Sequence, residues 1–93
     1  MKPQIDVAVL GLGAMGGTHV GAAKESPYVN HIYGYEPDET RRTARAAELG
    51  VIPATLEEIM DNPAIRLVYI ASINEVHVPQ AIMALRAGKA VLC

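Results

Sequence analysis

The residues with the clearest chemical meaning are three glycines at fixed spacing. Gly11-Leu12-Gly13-Ala14-Met15-Gly16 follows the pattern G-x-G-x-x-G. The run before it, Ile5–Leu10, is apolar and rich in β-branched residues, as a buried strand is. The run after it, from Met15 to about Glu25, reads as a helix that Ser26-Pro27 stops. A glycine-rich turn between strand and helix suits the holding of a diphosphate. Gly11 allows a tight exit from the strand. Gly13 leaves the backbone bare where phosphates approach, and Gly16 lets helix and strand pack closely. The helix N-terminus then offers unpaired N–H groups and a partial positive charge. All six residues, Gly11 to Gly16, are candidate ligand contacts. A tight turn with no ligand is the plainer reading of the same glycines.

A carboxylate at a second spacing adds to this. Glu36 lies 20 residues after Gly16, at the end of His31–Glu36, which reads as a strand closed by Pro37. A carboxylate there accepts hydrogen bonds from adenosine ribose hydroxyls and repels a 2′-phosphate, which favours NAD over NADP. Arg41 and Arg42 are near enough in sequence to reach a phosphate and pull the other way. The plainer reading of Glu36 is a solvated strand end.

Other elements must position these residues. Asp38 can cap a helix running to Leu49, with Thr40, Ala44 and Ala47 on one face and Gly50 as its stop. Val51–Ala54 is a short strand, tolerant of Pro53 only near an edge. Thr55-Leu56-Glu57-Glu58 is a capping box that opens a short helix, with Leu56, Ile59 and Met60 inward and Asn62-Pro63 closing it. Leu67–Ala71 is a further apolar strand. A helix from about Val76 to Ala87 carries Val78, Ile82 and Leu85 on its apolar face, and Pro79 falls in its first turn. Gly88 ends it, and Ala90–Cys93 is a last strand. Strict alternation of strand and helix with short connections calls for a parallel sheet covered by helices on both faces. The expected core is Val7, Val9, Leu10, Val20, Ile32, Leu49, Ile59, Leu67, Val68, Ile70, Ile82, Leu85 and Val91.

Composition narrows the function classes. A chain of 93 residues suits one small domain, residues 1–93, and 51% hydrophobic content is well above that of a disordered chain. With four Tyr and no Phe or Trp, the core must be aliphatic. The net charge of −2, without a run of like charges, argues against a nucleic-acid partner. Cys93 is the single cysteine, so neither a disulfide nor a CxxC metal site forms, and a reducing cytoplasm is expected. Lys2 before an apolar run imitates the start of a signal peptide, but Asp6 interrupts that run and the glycines arrive too early. No apolar stretch reaches the length of a membrane span.

The second half carries a resemblance. Leu67-Val-Tyr-Ile-Ala-Ser-Ile-Asn-Glu-Val-His77 and Ala81-Ile-Met-Ala-Leu-Arg-Ala-Gly-Lys-Ala-Val-Leu-Cys93 look like the nucleotide-binding half of the Gfo/Idh/MocA oxidoreductases, the glucose–fructose oxidoreductase and inositol dehydrogenase family. The G-x-G-x-x-G followed by His19, the N-x-x-H of Asn74–His77, and A-L-x-A-G-K-x-V at Ala84–Val91 all resemble its pattern. The resemblance implies a three-layer Rossmann-type fold with about five strands in the order 3-2-1-4-5, holding NAD(P) at the C-terminal ends of the strands. It places Ser72, Ile73 and Asn74 beside the cofactor's ribose and pyrophosphate, and His77 near its nicotinamide half. Ile73 departs from the family's usual proline. His19 packs or caps within the first helix on the plainer reading. Met15 can equally be an ordinary helix-start residue, Asn74 a turn or cap residue, and His77 a polar residue of the helix's first turn.

The family continues beyond the Cys93 position with Glu-Lys-Pro and a second, substrate-binding domain. The expectation is therefore the NAD-binding portion of an oxidoreductase acting on a sugar- or polyol-like alcohol. It has no catalytic or metal-ligating residue of its own and no turnover alone. A non-catalytic nucleotide-binding module and a Rossmann folding fragment are the alternatives. The short apolar strand Ala90–Cys93 is expected to lie at a sheet edge and favour a homo-oligomer.

Overall fold

The computed structural model describes residues 4–93, the side chain of Asn74 excepted. Lys2 lies outside the described residues. The elements are β1 (Ile5–Leu10), α1 (Ala14–Glu25), β2 (Val29–Tyr35), α2 (Glu39–Leu49), β3 (Ile52–Pro53), α3 (Leu56–Asp61), β4 (Ile65–Ile70), α4 (Asn74–Arg86) and β5 (Ala90–Leu92). The sheet is parallel throughout, in the order β3-β2-β1-β4-β5. It is the expected three-layer Rossmann-type α/β fold. Pro53 stands in the edge strand β3, where a missing ladder donor is tolerated.

β1 is the axis of the molecule, and its sequence explains why. Val7, Ala8, Val9 and Leu10 have no exposed surface. Side chains alternate across a strand, so β1 feeds two cores. Val7 and Val9 join Val20 and Ala23 of α1, Ile32 of β2 and Ala46 of α2. Ala8 and Leu10 join Ile59 of α3, Val68 and Ile70 of β4 and Ala84 of α4. Each buried Val or Leu contributes roughly 1.5–3 kcal/mol.

Asp6 interrupts this apolar run at a register shift, where β1 slips against both β2 and β4. Its buried carboxylate accepts the His31 N–H at 3.0 Å and lies 3.3 Å from His31 Nδ1. A buried acid so partnered is tolerated in the sheet.

Three details differ from the sequence reading. The buried side of α2 is Ala46, flanked by the half-buried Arg42, Arg45 and Leu49, while Thr40, Ala44 and Ala47 face solvent. α4 buries Gln80 and Ala84, whereas Val78, Ile82 and Leu85 are exposed. Gln80 and Ala84 face inward, and the larger aliphatic chains are left on the outer side. α4 also begins at Asn74, so Pro79 lies inside the helix, beyond its first turn. Pro79 is exposed, and the helix forgoes the one hydrogen bond its missing N–H would make.

Candidate functional site

The turn between β1 and α1 is clasped by the ends of the two neighbouring strands. Gly11 N–H donates to Tyr35 O, and Ala71 N–H donates to Leu10 O, both at 2.8 Å. Gly11 has φ 96°, and a Cβ there would stand 2.7 Å from Ala71 O. A Cβ on Gly16 would stand 1.9 Å from Gly11 O, so only glycine lets α1 start this close to the strand. Gly13 is different. A Cβ there would meet nothing nearer than Arg41 Nη2 at 3.9 Å, so this face of the turn is open. Two of the motif's glycines thus serve the fold, and the middle one leaves room.

Gly13 is also the N-cap of α1, without a side-chain cap, and no acid occupies the helix's first turn. The first amides of α1 are therefore uncovered and carry the positive end of the helix dipole. Ala14 and Met15 are exposed at this mouth. The Leu12 side chain is fully buried, so Leu12 meets the site only through its backbone.

Glu36 stands next to this turn, and it is no solvated strand end. Its side chain is 13% exposed. One oxygen accepts the Leu12 N–H at 2.5 Å, and the other lies 3.8 Å from Arg41 Nε. Arg42 is engaged elsewhere: its Nε donates to Glu36 O at 2.9 Å, and its guanidinium lies 5.2 Å from the Tyr35 ring centroid. Arg41, 58% exposed, is the guanidinium left at the mouth of the site.

A cleft of about 310 Å³ runs across the C-terminal ends of β1, β2 and β4. Gly11, Gly13, Glu36 and Ser72 line it, together with Arg41 and Gln80. Three segments distant in sequence thus converge, as expected of a parallel sheet whose strand order reverses beside β1. Ser72 Oγ donates to Gln80 Oε1 at 2.5 Å, which fixes the loop after β4. Ile73 is exposed and caps α4 without a side-chain bond, and Asn74 opens that helix. The Asn74 side chain lies outside the described residues.

His77 does not line this cleft, but its Nε2 is buried without a hydrogen-bond partner. His19 stacks on Tyr69, with ring centroids 5.1 Å apart, in keeping with a packing role. Sequence reasoning missed Gln80 and Tyr35. A lone glutamine on an otherwise apolar helix face was the available signal for the first. Among the described residues, no group of three or more His, Cys, Asp or Glu could hold a metal. No helix there is long and apolar enough to cross a membrane.

The donors fit a nicotinamide dinucleotide. The turn at Gly13 leaves open space beside its backbone, the amides beside it lack an acidic neighbour, and a carboxylate stands at the ribose distance in sequence.

Residues 5–93 match the oxidoreductase family Gfo/Idh/MocA, described as an NAD-binding Rossmann fold. Inositol 2-dehydrogenase of Corynebacterium glutamicum is 32% identical over 96 residues, covering 100% of this chain and 28% of its own length. Levoglucosan dehydrogenase in complex with NADH and levoglucosan superposes with a TM-score of 0.87 at 28% identity, over 97% of this chain and 27% of that one. Biliverdin reductase of Synechocystis sp. PCC 6803, in complex with biliverdin and NADP+, superposes with a TM-score of 0.83 at 27% identity, over 94% of this chain and 28% of that one. The chain thus spans about a quarter of the length of these relatives.

Proposed function

We propose, for a chain that belongs to the Gfo/Idh/MocA oxidoreductase family and has its NAD-binding Rossmann fold, that these residues bind NAD in preference to NADP. They do so as part of an enzyme that oxidises a sugar- or polyol-like alcohol. The observation that carries this reading is the meeting of Gly13, Glu36 and Ser72 in one cleft at the mouth of α1.

The roles follow from chemistry. The open face at Gly13 and the first amides of α1, from Ala14 to Gly16, take the diphosphate. Met15, exposed beside them, covers the ligand. Glu36 accepts the ribose hydroxyls with the oxygen that Leu12 leaves free, and that same charge repels a 2′-phosphate. Arg41 tempers this repulsion without removing it, because it is mostly solvated and its charge is screened. Ser72 and Asn74 border the ribose and diphosphate from the β4 side. His77, with its unpartnered buried nitrogen, is assigned to the nicotinamide end. Bound there, the dinucleotide supplies a hydride acceptor, and the protein's part is to hold and orient it. None of these residues is assigned as a catalytic acid or base.

Calorimetric titration with NAD and NADP tests the reading. NAD is expected to bind more tightly than NADP and to raise the unfolding temperature by mass action on the folded state. Absence of binding by either dinucleotide would remove the proposal.

A further inference from the structure

Leu12 is held from both ends. Its N–H goes to Glu36, and its carbonyl accepts from Arg45 Nε at 2.7 Å, across 33 positions of sequence. Arg45 is itself fixed, with Nη1 2.7 Å from Glu48 Oε2 and a side chain 27% exposed. A guanidinium from the middle of α2 is thus committed to one backbone carbonyl inside the glycine turn.

That carbonyl shares a peptide group with the Gly13 N–H. The peptide is planar, and no described peptide bond is cis, so the two groups point in opposite directions. Fixing Leu12 O therefore fixes the Gly13 N–H, aimed away from Arg45. No acceptor meets that N–H among the described residues, and Gly13 lines the cleft. A cation on the carbonyl also polarises the peptide and makes its N–H a stronger donor.

We infer that Arg45 is a positioning residue for dinucleotide binding: it aims and strengthens the Gly13 amide as a donor to the diphosphate. The inference rests on the dinucleotide reading above. Arginine suits the role because its rigid planar fork serves Leu12 and Glu48 at once.

The test compares the native protein with Arg45→Met and Arg45→Lys, using NAD, ADP and adenosine as probes and the Gly13 amide resonance as a readout in the free protein. Arg45→Met is expected to bind NAD and ADP about tenfold more weakly, the order expected for loss of one charge-assisted hydrogen bond. Adenosine, which has no phosphate, should bind all three proteins alike, and the Gly13 amide should shift in both variants. Arg45→Lys keeps the charge but not the fork, and should recover only part of the affinity. Should Arg45→Met not fold, Arg45→Lys decides. Full NAD affinity in Arg45→Lys with an unmoved Gly13 amide would reduce the effect to charge and overturn the inference. Equal losses for adenosine and ADP would overturn it too, as would a folded Arg45→Met with native affinity. Failure of the native protein to bind NAD would instead strike the dinucleotide reading itself.

Discussion

One oxygen of the Glu36 carboxylate accepts the Leu12 amide at 2.5 Å, so the end of β2 and the turn after β1 form one unit. Glu36→Ala removes both the proposed ribose acceptor and the partner of a buried amide. Stability is expected to fall by about 1–3 kcal/mol in urea unfolding, the cost of an unsatisfied buried donor. NAD affinity should fall more than NADP affinity, because the charge that repels a 2′-phosphate goes as well. An unchanged ratio of the two, measured calorimetrically, would dismiss Glu36 as the discriminating residue.

The two glycines flanking the helix start should respond in opposite ways. Gly16→Ala places a methyl 1.9 Å from Gly11 O and should fail to fold or lose several kcal/mol, roughly the scale of severe overpacking. Gly13→Ala meets open space at an allowed φ of −76° and should cost at most about 1 kcal/mol, the loss of a good N-cap. Its NAD affinity should nevertheless fall at least about tenfold, as expected for one lost diphosphate contact. Thermal melts with and without NAD separate the two effects.

Lys89 is buried, and its ammonium donates to Asn62 O and Ile65 O, each at 2.7 Å. Burial, with a smaller push from Arg66, holds its pKa below the ordinary 10.5 despite Asp61. Between the folded value and 10.5 the unfolded chain binds more protons, so this group makes stability rise with pH there. Denaturant unfolding across alkaline pH should show that rise in the native protein and lack it in Lys89→Met. A shared slope would count against the assignment.

The capping box of α3 gives a slope of the same sign at acid pH. Thr55 Oγ1 accepts the Glu58 N–H at 3.1 Å, and Glu58 accepts the Thr55 N–H at 2.9 Å. Those bonds, to the Thr55 backbone first, lower the Glu58 pKa from 4.5. Its contribution is present above the unfolded value and is lost as pH falls through the folded one. Acid unfolding of Glu58→Gln should lack that component. Thr55→Ala should cost about 1 kcal/mol at neutral pH, the usual value of an N-cap.

The outer face of α4 should tolerate polar residues. Ile82 is 45% and Leu85 60% exposed, so Ile82→Gln and Leu85→Gln should each change stability by about 0.5 kcal/mol or less. Ala84, fully buried against the sheet, should lose about 1–3 kcal/mol as Ala84→Leu through overpacking. Urea midpoints would show whether the small residues truly face inward.

Local physics made much of this protein readable from its residues. Alternation of apolar strands with capped helices fixed the layer order, since parallel neighbours need a helical crossover. Gly11, Gly16, Gly50 and the Thr55 box act within a few residues of themselves, so their meaning is visible in one dimension. Glu36 belongs here too, because its spacing from Gly16 is set by one helix and one strand. The fold had to supply what depends on distance. Which side of α4 meets the sheet is decided by tertiary packing, which puts Gln80 and Ala84 inward and leaves Ile82 and Leu85 outside. Arg45 reads as a surface charge until α2 packs beside the glycine turn and brings its guanidinium to Leu12 O. A hydrogen bond between residues 33 positions apart leaves no periodicity in the sequence, because nothing local requires it.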